Sequence, residues 1–265
     1  VNTPNSTPEE ILLSQSPILH SERTEGTGLP LMLVHPIGAS LRFWDALRPH
    51  LDMPLLCADL RGHGGSAAPG GDYRIDELAD DLLALADALG VARFDVCGVS
   101  LGGMAALVLA ERAGDRVHRV AVSSTAPRVA PPPTGWDARR DAALRDGMAP
   151  LAGPMVERMF SAGFRATGDP VIGTLRTVFE TMDPVGYAGA VAVLRDADLG
   201  ERLARVHAPT LVMAGQQDPL CPLEAQQALA RALPQGQMVA LDCGHFPPVE
   251  RPGEFARLLR AHLKG

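Results

Sequence analysis

The chain has 265 residues, of which 46% are hydrophobic and 21% are charged, and its formal net charge at pH 7 is −7. This composition is typical of a globular protein with an ordinary buried core. The net negative charge argues against nucleic acid and anionic membranes as partners, because both require concentrated positive charge on the protein.

The beginning of the chain, VNTPNSTPEE, is polar and lacks the charged and apolar regions of a signal peptide. No segment approaches the roughly 18 consecutive apolar residues of a membrane span. The four cysteines show no CxxC spacing, which predicts free thiols in a reducing compartment. Together these features predict a cytoplasmic protein.

Strand and helix patterns alternate along the first part of the chain. Two short alternating stretches, at residues 11–16 and 18–23, predict an antiparallel edge to a sheet. The continuous apolar runs LPLMLVHP and MPLLCADL predict strands that are buried on both faces. A leucine stripe over residues 76–89, ended by Gly90, predicts a helix.

The same alternation continues after that helix. ARFDVCGVS predicts a strand, GGMAALVLAERAG a helix and HRVAVSSTA a further strand. Near the end of the chain, PTLVMAG, EAQQALARALP and QMVALDCG repeat the order strand, helix, strand, and residues 252–264 predict an amphipathic helix. The alternation predicts an α/β fold, in which a mostly parallel sheet carries helices on both faces.

Residues 128–198 interrupt this alternation. They contain PPP and several glycines, and they show no convincing strand pattern. Their helical patches occur at residues 139–144, 154–160, 172–182 and 189–194. We therefore predict one α/β core, formed by residues 1–127 and 199–265, with residues 128–198 inserted as a helical lid over the strand ends.

The motif G-x-S-x-G occurs at residues 98–102, as GVSLG. It follows a strand pattern and precedes a helix pattern of small residues, which is the setting of a nucleophile elbow. The turn is so tight that the residues beside the serine must be small, and it exposes Ser100 Oγ next to a helix N-terminus. Ser100 is therefore the predicted nucleophile.

A serine hydroxyl needs a base to remove its proton, and the base needs a carboxylate to orient it. Of the eight histidines, His245 is the best candidate, because it follows an apolar strand pattern and so lies at the same sheet edge as Ser100. Asp218 follows LVMAG at another strand end. The chain order Ser100, Asp218, His245 is that of one large class of serine hydrolases. The competing acids are Asp196, Asp198 and Asp242.

An oxyanion hole needs two N–H groups aimed at the carbonyl oxygen that becomes negative. Leu101, the residue after the nucleophile, supplies the first. The loop after LMLV reads HPIG, and because Pro36 has no N–H, Ile37 is the predicted second donor. His35 is predicted to hold this loop, with contact to substrate as the alternative.

The glycine-rich segment DLRGHGGS, residues 59–66, is predicted to be a structural turn in which Asp59 pairs with Arg61. It lacks the Lys-Ser/Thr ending of a P-loop and the G-x-G-x-x-G spacing of a dinucleotide site. No group of His, Cys and acidic residues has metal-ligand spacing. We therefore predict neither a cofactor nor a metal.

These motifs together resemble the α/β-hydrolase superfamily over residues 18–264, and within it they most resemble the 3-oxoadipate enol-lactonases and related serine esterases and lactonases. The closer resemblance is carried by LRGHGGSAAPGGDYRIDELADDLLALADALG, by CGVSLGGMAA and by the lid pattern between Trp136 and Leu199. The acidic substrate of that family implies a cationic lid, for which a single well-placed arginine would suffice. Residues 128–198 contain eight arginines and nine acids, so composition does not identify which arginine.

We therefore predict a cofactor-free serine hydrolase that acts on a small-molecule ester or lactone. The same triad serves C–C bond hydrolysis, perhydrolysis and biosynthetic acyl transfer or cyclisation, which stay alternatives. A non-catalytic ligand-binding relative is a further alternative, which an intact triad disfavours. Haloalkane dehalogenases and epoxide hydrolases are disfavoured because they need Asp at the position of Ser100.

Five residues are predicted to shape the substrate pocket, although each is equally compatible with packing in the core. They are Trp136, Met148, Met159, Phe160 and Phe246.

Overall fold

The computed structural model describes residues 19–265, and a sheet of seven strands lies at its centre. The strands are β1 (Ser21–Arg23), β2 (Leu31–Val34), β3 (Leu55–Ala58), β4 (Phe94–Val99), β5 (Val117–Ser123), β6 (Thr210–Gly215) and β7 (Gly236–Leu241). Their order across the sheet is β1-β3-β2-β4-β5-β6-β7. β1 pairs antiparallel with β3 and the other pairs are parallel, which confirms the predicted α/β architecture. The stretch predicted as extended at residues 11–16 lies outside the described residues.

The central strands are covered on both faces. Every residue of β2, β3, β4 and β6 is buried. Because successive side chains of a strand point to opposite faces, burial at every position means that both faces are covered. This is why β2 and β3 appear in the sequence as continuous apolar runs, and β4 as a run that Asp95 interrupts. By contrast, β7, at the edge of the sheet, is only partly buried.

Helices connect the strands and fill the interval between β5 and β6. The α-helices are α1 (Ile75–Ala88), α2 (Leu101–Ala113), α3 (Trp136–Asp146), α4 (Ala149–Met159), α5 (Ala162–Ala166), α6 (Pro170–Glu180), α7 (Pro184–Asp196), α8 (Leu223–Ala232), α9 (Pro247–Glu250) and α10 (Pro252–Lys264). Short 3₁₀ helices lie at Leu41–Trp44, Arg48–His50, Gly114–Arg116 and Gly200–Arg205. The predicted leucine stripe of α1 is confirmed, since Leu78, Leu82 and Leu85 are buried.

The cap segment, which we define as residues 128–198, contains the helices α3 to α7 and no strand in this fully described interval. One predicted boundary is wrong: the helix expected to begin at Pro154 begins at Ala149, so that Pro154 lies inside α4. Proline favours the first turn because it has no N–H to donate. Here the burial of Met155 and Met159 on one side of α4 outweighs the hydrogen bond lost at the proline.

The carboxyl ends of the six parallel strands meet at one edge of the sheet, and the loops at this edge carry the candidate site. The four cysteines are all buried and free, as predicted. Within residues 19–265, no helix has both the length and the apolar character needed to cross a membrane.

Candidate active site

The ends of β4, β6 and β7 carry the three residues of the predicted triad. Ser100 follows β4 directly, Asp218 lies shortly after β6, and His245 lies shortly after β7. Only β5 separates β4 from β6, and β6 is adjacent to β7. The sheet therefore brings to one edge three residues that lie far apart in the sequence.

The turn at Ser100 has a strained backbone that β5 holds in place. Ser100 has φ 54° and ψ −118°, angles that a residue with a side chain rarely adopts. Its N–H donates to the Ser123 carbonyl oxygen at 2.9 Å, and Thr125 Oγ1 donates to the Ser100 carbonyl oxygen at 2.9 Å. Because α2 begins at the next residue, the N-terminus of this helix lies beside the serine hydroxyl.

Close backbone contacts explain the two glycines of the motif. A Cβ at Gly98 would overlap the Gly102 carbonyl oxygen, and a Cβ at Gly102 would overlap the Val34 carbonyl oxygen. The start of α2 therefore packs backbone to backbone against the end of β2. This contact brings the loop after β2, which contains Ile37, to the start of α2, where Leu101 lies.

We expect Gly102→Ala to lower the free energy of unfolding by about 3 kcal/mol or more. The new methyl group has no free space, because the atoms it meets belong to the backbone of β2 and cannot rotate away. Urea denaturation measures the change.

Gly173→Ala is the matched control, because Gly173 lies inside α6 and a Cβ there would have no neighbour within 4 Å. Alanine is the better helix former by about 1 kcal/mol, so we expect this variant to be as stable as the wild type or more stable. Equal stability of the two variants would contradict the backbone contact between α2 and β2.

A buried hydrogen bond joins the other two residues of the predicted triad. His245 Nδ1 lies 2.8 Å from Asp218 Oδ2, and the two residues are 2% and 6% exposed. Asp218 Oδ1 accepts the N–H of Leu220 at 2.8 Å and the N–H of Cys221 at 3.1 Å. Burial by itself raises the pKa of Asp218, but the attraction of His245 and these hydrogen bonds outweigh it and hold the pKa below its ordinary value.

The charge of Asp218 determines which ring nitrogen of His245 carries the proton. An ionised carboxylate only accepts hydrogen bonds, so Nδ1 is the donor. Nε2 is then unprotonated and can act as a base. The arrangement can therefore remove a proton from a hydroxyl group that lies next to Nε2.

Hydrogen bonds connect the loop that carries His245 to the cap segment. The His245 N–H donates to the Met159 carbonyl oxygen at 2.9 Å. Glu250 Oε1 accepts the N–H groups of Gly244 and Ser161, each at 3.0 Å, and Glu250 Oε2 accepts from Ser161 Oγ at 2.5 Å. Glu250 was not predicted from the sequence, because its partner Ser161 lies in a different part of the chain. These bonds fix the corner between α4 and α5 to the loop of His245.

The two predicted oxyanion donors have N–H groups available for an external acceptor. Leu101 is the first residue of α2, and Ile37 lies in the oxyanion loop, which we define as residues 35–38. Among the described residues, neither N–H has a hydrogen-bond acceptor. The contact of α2 with β2 places these two N–H groups on neighbouring segments.

His35 has a structural position rather than an exposed one. It is fully buried; its Nε2 accepts the Leu60 N–H at 3.0 Å, and its Nδ1 donates to the Pro36 carbonyl oxygen at 2.8 Å. Both ring nitrogens are used within the protein, so neither is available to a substrate. The bond to Leu60 links the loop of His35 to the segment that follows β3.

The predicted pairing of Asp59 with Arg61 is wrong. Arg61 pairs instead with Asp81 of α1, with Nε 2.6 Å from Oδ2. Asp59 accepts the backbone N–H groups of Leu41 at 2.6 Å and Gly65 at 2.9 Å. The sharp turn after β3 directs Asp59 towards backbone donors and Arg61 towards α1, so proximity in sequence does not bring their charges together.

The five residues predicted to shape a substrate pocket do not share one location. Met159 lines a cavity of the cap segment. Phe160 and Phe246 pack edge to face, with ring centroids 5.4 Å apart. Trp136 and Met148 are buried in the hydrophobic core. Of these five residues, only Met159 lies at this cavity.

That cavity has a volume of about 400 Å³ and lies between α3 and α4. Its size is in the range of small-molecule sites. Sequence reasoning did not identify its lining apart from Met159. The other lining residues are Pro132, Thr134, Ala138, Arg139, Ala142, Leu151, Pro154, Met155 and Arg158.

Arg139 and Arg158 differ from the other arginines of the cap segment because they both line this cavity and, within residues 19–265, lack a carboxylate partner. Arg165 also lacks a carboxylate partner among the described residues, but it donates to the backbone carbonyl oxygens of Glu157 and Phe160. Arg139 Nε donates to the Tyr187 hydroxyl oxygen at 2.5 Å. Burial, and then the nearby charge of Arg139, lower the pKa of Arg158. Two positive charges without carboxylate partners therefore lie at one mostly apolar cavity. The cap arginines that do pair with carboxylates are Arg128, Arg140, Arg145, Arg176 and Arg195.

Asp218, Cys221 and His245 form the one group of three possible metal ligands within residues 19–265, with ligand atoms within 4.8 Å of one another. Sequence spacing does not show this group, because its members come from two loops. Burial, and then the charge of Asp218, raise the pKa of the Cys221 thiol, which keeps it protonated and a poor ligand. The hydrogen bond between His245 and Asp218 also uses atoms that an ion would need. The donor set fits a hydrogen-bonded pair better than a metal.

The chain is similar to known proteins over most of its length. A sequence model described as the alpha/beta hydrolase fold matches residues 30–252. The 3-oxoadipate enol-lactonase 2 of Acinetobacter baylyi is 30% identical over 236 residues, which are 88% of this chain and 88% of that protein. The enol-lactonase structure from Burkholderia xenovorans has a TM-score of 0.90 and 32% identity, and covers 93% of this chain and 96% of its own. A thermophilic esterase from Thermogutta terrifontis, solved with malate bound, has a TM-score of 0.86 and 32% identity, and covers 93% of each chain.

Proposed function

Because this chain belongs to the α/β-hydrolase fold family, we propose that it is a serine hydrolase that cleaves a carboxylic ester or lactone, in the manner of a 3-oxoadipate enol-lactonase. One observation carries the proposal: the buried hydrogen bond between His245 and Asp218, 2.8 Å long, at the sheet edge where Ser100 has a strained backbone. A carboxylate that holds the Nδ1 proton leaves Nε2 as the base that a serine nucleophile requires.

In the proposed reaction, Ser100 Oγ attacks the carbonyl carbon of the substrate while His245 Nε2 takes the hydroxyl proton. The oxygen of the tetrahedral intermediate becomes negative and accepts the N–H groups of Leu101 and Ile37. His245 then returns the proton to the leaving oxygen as the C–O bond breaks, which leaves an acyl-enzyme. Water that His245 deprotonates releases the acid and restores Ser100. In a lactone, the leaving oxygen stays attached to the acyl group, so a single ring-opened product forms.

Arg139 and Arg158 support a substrate that carries a carboxylate. Two guanidinium groups without carboxylate partners at an apolar cavity are suited to bind an anionic group by charge-assisted hydrogen bonds. The cavity is also lined by Met159, whose carbonyl oxygen accepts the His245 N–H, so the cavity reaches the segment that is hydrogen-bonded to the loop of the proposed base. The esterase of Thermogutta terrifontis, whose structure holds malate, is a relative with an acidic ligand.

The test compares substrates of matched shape and different charge. We expect Arg139→Gln and Arg158→Gln each to lower kcat/KM by about 10- to 100-fold for an ester or lactone with a carboxylate, because a hydrogen bond to a charged group contributes about 1.5–3 kcal/mol. The change for a neutral p-nitrophenyl ester should stay within about 3-fold, since that substrate has no group for the arginines to bind. Initial rates with p-nitrophenyl hemiglutarate, p-nitrophenyl butyrate and a muconate-derived enol-lactone measure the effect.

Arg145→Gln is the matched control, because Arg145 lies on α3, is exposed and pairs with Asp146. We expect no effect of this variant on either class of substrate. Equal losses on acidic and neutral esters in the Arg139 and Arg158 variants would contradict a carboxylate site. If the wild type hydrolysed no ester or lactone but cleaved a vinylogous 1,5-diketone, the function would instead be C–C bond hydrolysis.

A further inference from the structure

Two buried histidines outside the proposed triad connect the oxyanion loop to the glycine-rich loop after β3. His35, in the oxyanion loop, is fully buried, and His63, in the glycine-rich loop, is 1% exposed. Their ring centroids lie 5.0 Å apart, with an angle of 57° between the planes. The proposed reaction uses neither ring, so their burial next to each other calls for another explanation.

Each ring accepts a backbone N–H from the loop to which it does not belong. His63 Nε2 accepts the Gly38 N–H at 3.1 Å, and His35 Nε2 accepts the Leu60 N–H at 3.0 Å. The two bonds run in opposite directions between the same two loops. The oxyanion loop is therefore linked to the glycine-rich loop by a reciprocal pair of N–H···N hydrogen bonds.

The other nitrogen of each ring fixes its tautomer. His35 Nδ1 donates to the Pro36 carbonyl oxygen at 2.8 Å, and His63 Nδ1 donates to the Arg61 carbonyl oxygen at 3.0 Å. Burial, and then the nearby His35, lower the pKa of His63 to about 3, and burial lowers the pKa of His35. Both rings are therefore neutral at physiological pH, which leaves each Nε2 as an acceptor.

These bonds fix both peptide planes that flank Ile37. The Pro36 carbonyl and the Ile37 N–H share one trans peptide plane and point in opposite directions, so the bond from His35 to that carbonyl also sets the direction of the Ile37 N–H. The Ile37 carbonyl and the Gly38 N–H share the next plane, which His63 holds. Phe179 of the cap segment packs against this loop. Its ring lies only 2.5 Å from the position that a Cβ would occupy at Gly38.

We propose that His35 and His63 are positioning residues that aim the Ile37 N–H at the substrate oxygen on which negative charge develops. The proposal rests on the function proposed above, because it assigns a donor to the oxyanion of an acyl-transfer reaction. It adds two side chains that touch no reacting atom and act only through the oxyanion loop. The loss of the His63 ring frees the peptide plane of the Gly38 N–H without removing any catalytic group, whereas the Pro36 carbonyl that His35 holds also accepts the Ala39 N–H at 3.3 Å.

The test removes and then restores the acceptor for the Gly38 N–H. His63→Leu fills the site without an acceptor, whereas His63→Gln places an amide oxygen where Nε2 lies. We expect His63→Leu to lower kcat by about 10- to 100-fold, with KM changed by less than about 3-fold. A displaced oxyanion donor stabilises the transition state less, but it does not change the binding of the substrate. We expect His63→Gln to recover most of the loss. The affinity of a trifluoromethyl ketone, which forms an oxyanion on Ser100, should fall in parallel with kcat.

Recovery of activity in His63→Gln distinguishes a lost acceptor from a loss of folding, and two further measurements test the hydrogen bond itself and the specificity of the effect. In the wild type, NMR should detect a scalar coupling between the Gly38 nitrogen and His63 Nε2, across the N–H···N hydrogen bond. His118→Leu is the matched control, since His118 is partly exposed at the start of β5, away from the strand ends that carry the site, and it should leave kcat and ketone affinity unchanged.

The possible failures are distinguishable. An active wild type whose kcat and ketone affinity are unchanged by His63→Leu would overturn the positioning role and leave the proposed function intact. A missing coupling would overturn the reciprocal pair itself. A wild type that neither hydrolyses any ester or lactone nor binds the ketone would overturn the proposed function and, with it, the positioning role.

Discussion

Ser100→Ala is expected to lower kcat/KM by about 10⁴-fold or more for every ester or lactone that the wild type hydrolyses. Without Oγ no acyl-enzyme forms, and the only remaining catalysis comes from substrate binding and the oxyanion donors. The backbone should not change, because alanine meets the same steric cost as serine at φ 54°. Initial rates measure the loss, and mass spectrometry after treatment with a fluorophosphonate shows whether the covalent adduct is lost as well.

Ser124→Ala is the matched control for this experiment. Ser124 is also a serine with a positive φ, 51°, at a strand end, and it is fully buried. Its hydroxyl has no hydrogen-bond partner among the residues that the structure describes. Removal of a buried hydroxyl without a partner costs no hydrogen bond, so activity should stay within about 2-fold and stability should not fall. An adduct that still forms in the Ser100 variant would show that another residue is the nucleophile.

Asp218→Asn is expected to lower kcat by about 10⁴-fold, with a smaller effect on KM. Two backbone N–H groups point at Asp218 Oδ1, so the amide oxygen of the new side chain takes that place. The amide NH₂ then lies at the position of Oδ2 and faces His245 Nδ1. Because two donors cannot face each other, the imidazole moves its proton to Nε2, which is then no longer a base. Single-turnover kinetics measure the acylation rate directly.

Asp242→Asn is the control, because Asp242 is the acid closest in sequence to His245. Its Oδ1 accepts from Gln217 Nε2 at 2.7 Å, and its side chain is 68% exposed. We expect a change in kcat of less than about 2-fold. A larger loss in this variant than in Asp218→Asn would show that the orienting acid had been assigned to the wrong strand end.

The fold, and the strand ends at which the candidate site residues lie, could be predicted because local sequence patterns determine both. Because β2 and β3 are buried on both faces, they appear as continuous apolar runs, and each run ends where a parallel strand reaches the edge that carries the candidate site. No knowledge of side-chain contacts was needed to predict where Ser100, Asp218 and His245 lie relative to the strand ends. The glycines of the elbow are likewise visible in the sequence, because a tight backbone contact excludes every larger residue.

The partners of charged and polar side chains could not be predicted, because they depend on how loops fold back on one another. Arg61 lies two residues from Asp59 but pairs with Asp81, on the first helix. Arg139 and Arg158 could be identified only after the other cap arginines were placed beside acids or, for Arg165, beside backbone carbonyl oxygens. Glu250 bonds to Ser161, which is distant in sequence, and nothing in the local pattern of either residue indicates the other.

The bonds from Glu250 and His245 to residues 159–161 also limit which segments of this chain can be replaced independently. A recombination that replaced the cap segment alone would separate Ser161 and the Met159 carbonyl from the partners with which they fit. We therefore expect that a chimera would have to transfer the corner between α4 and α5 together with the loop of His245. Apart from Met159, the described residues that line the cavity between α3 and α4 form no such bonds with the loop of His245, so the lining can be substituted while that loop stays unchanged.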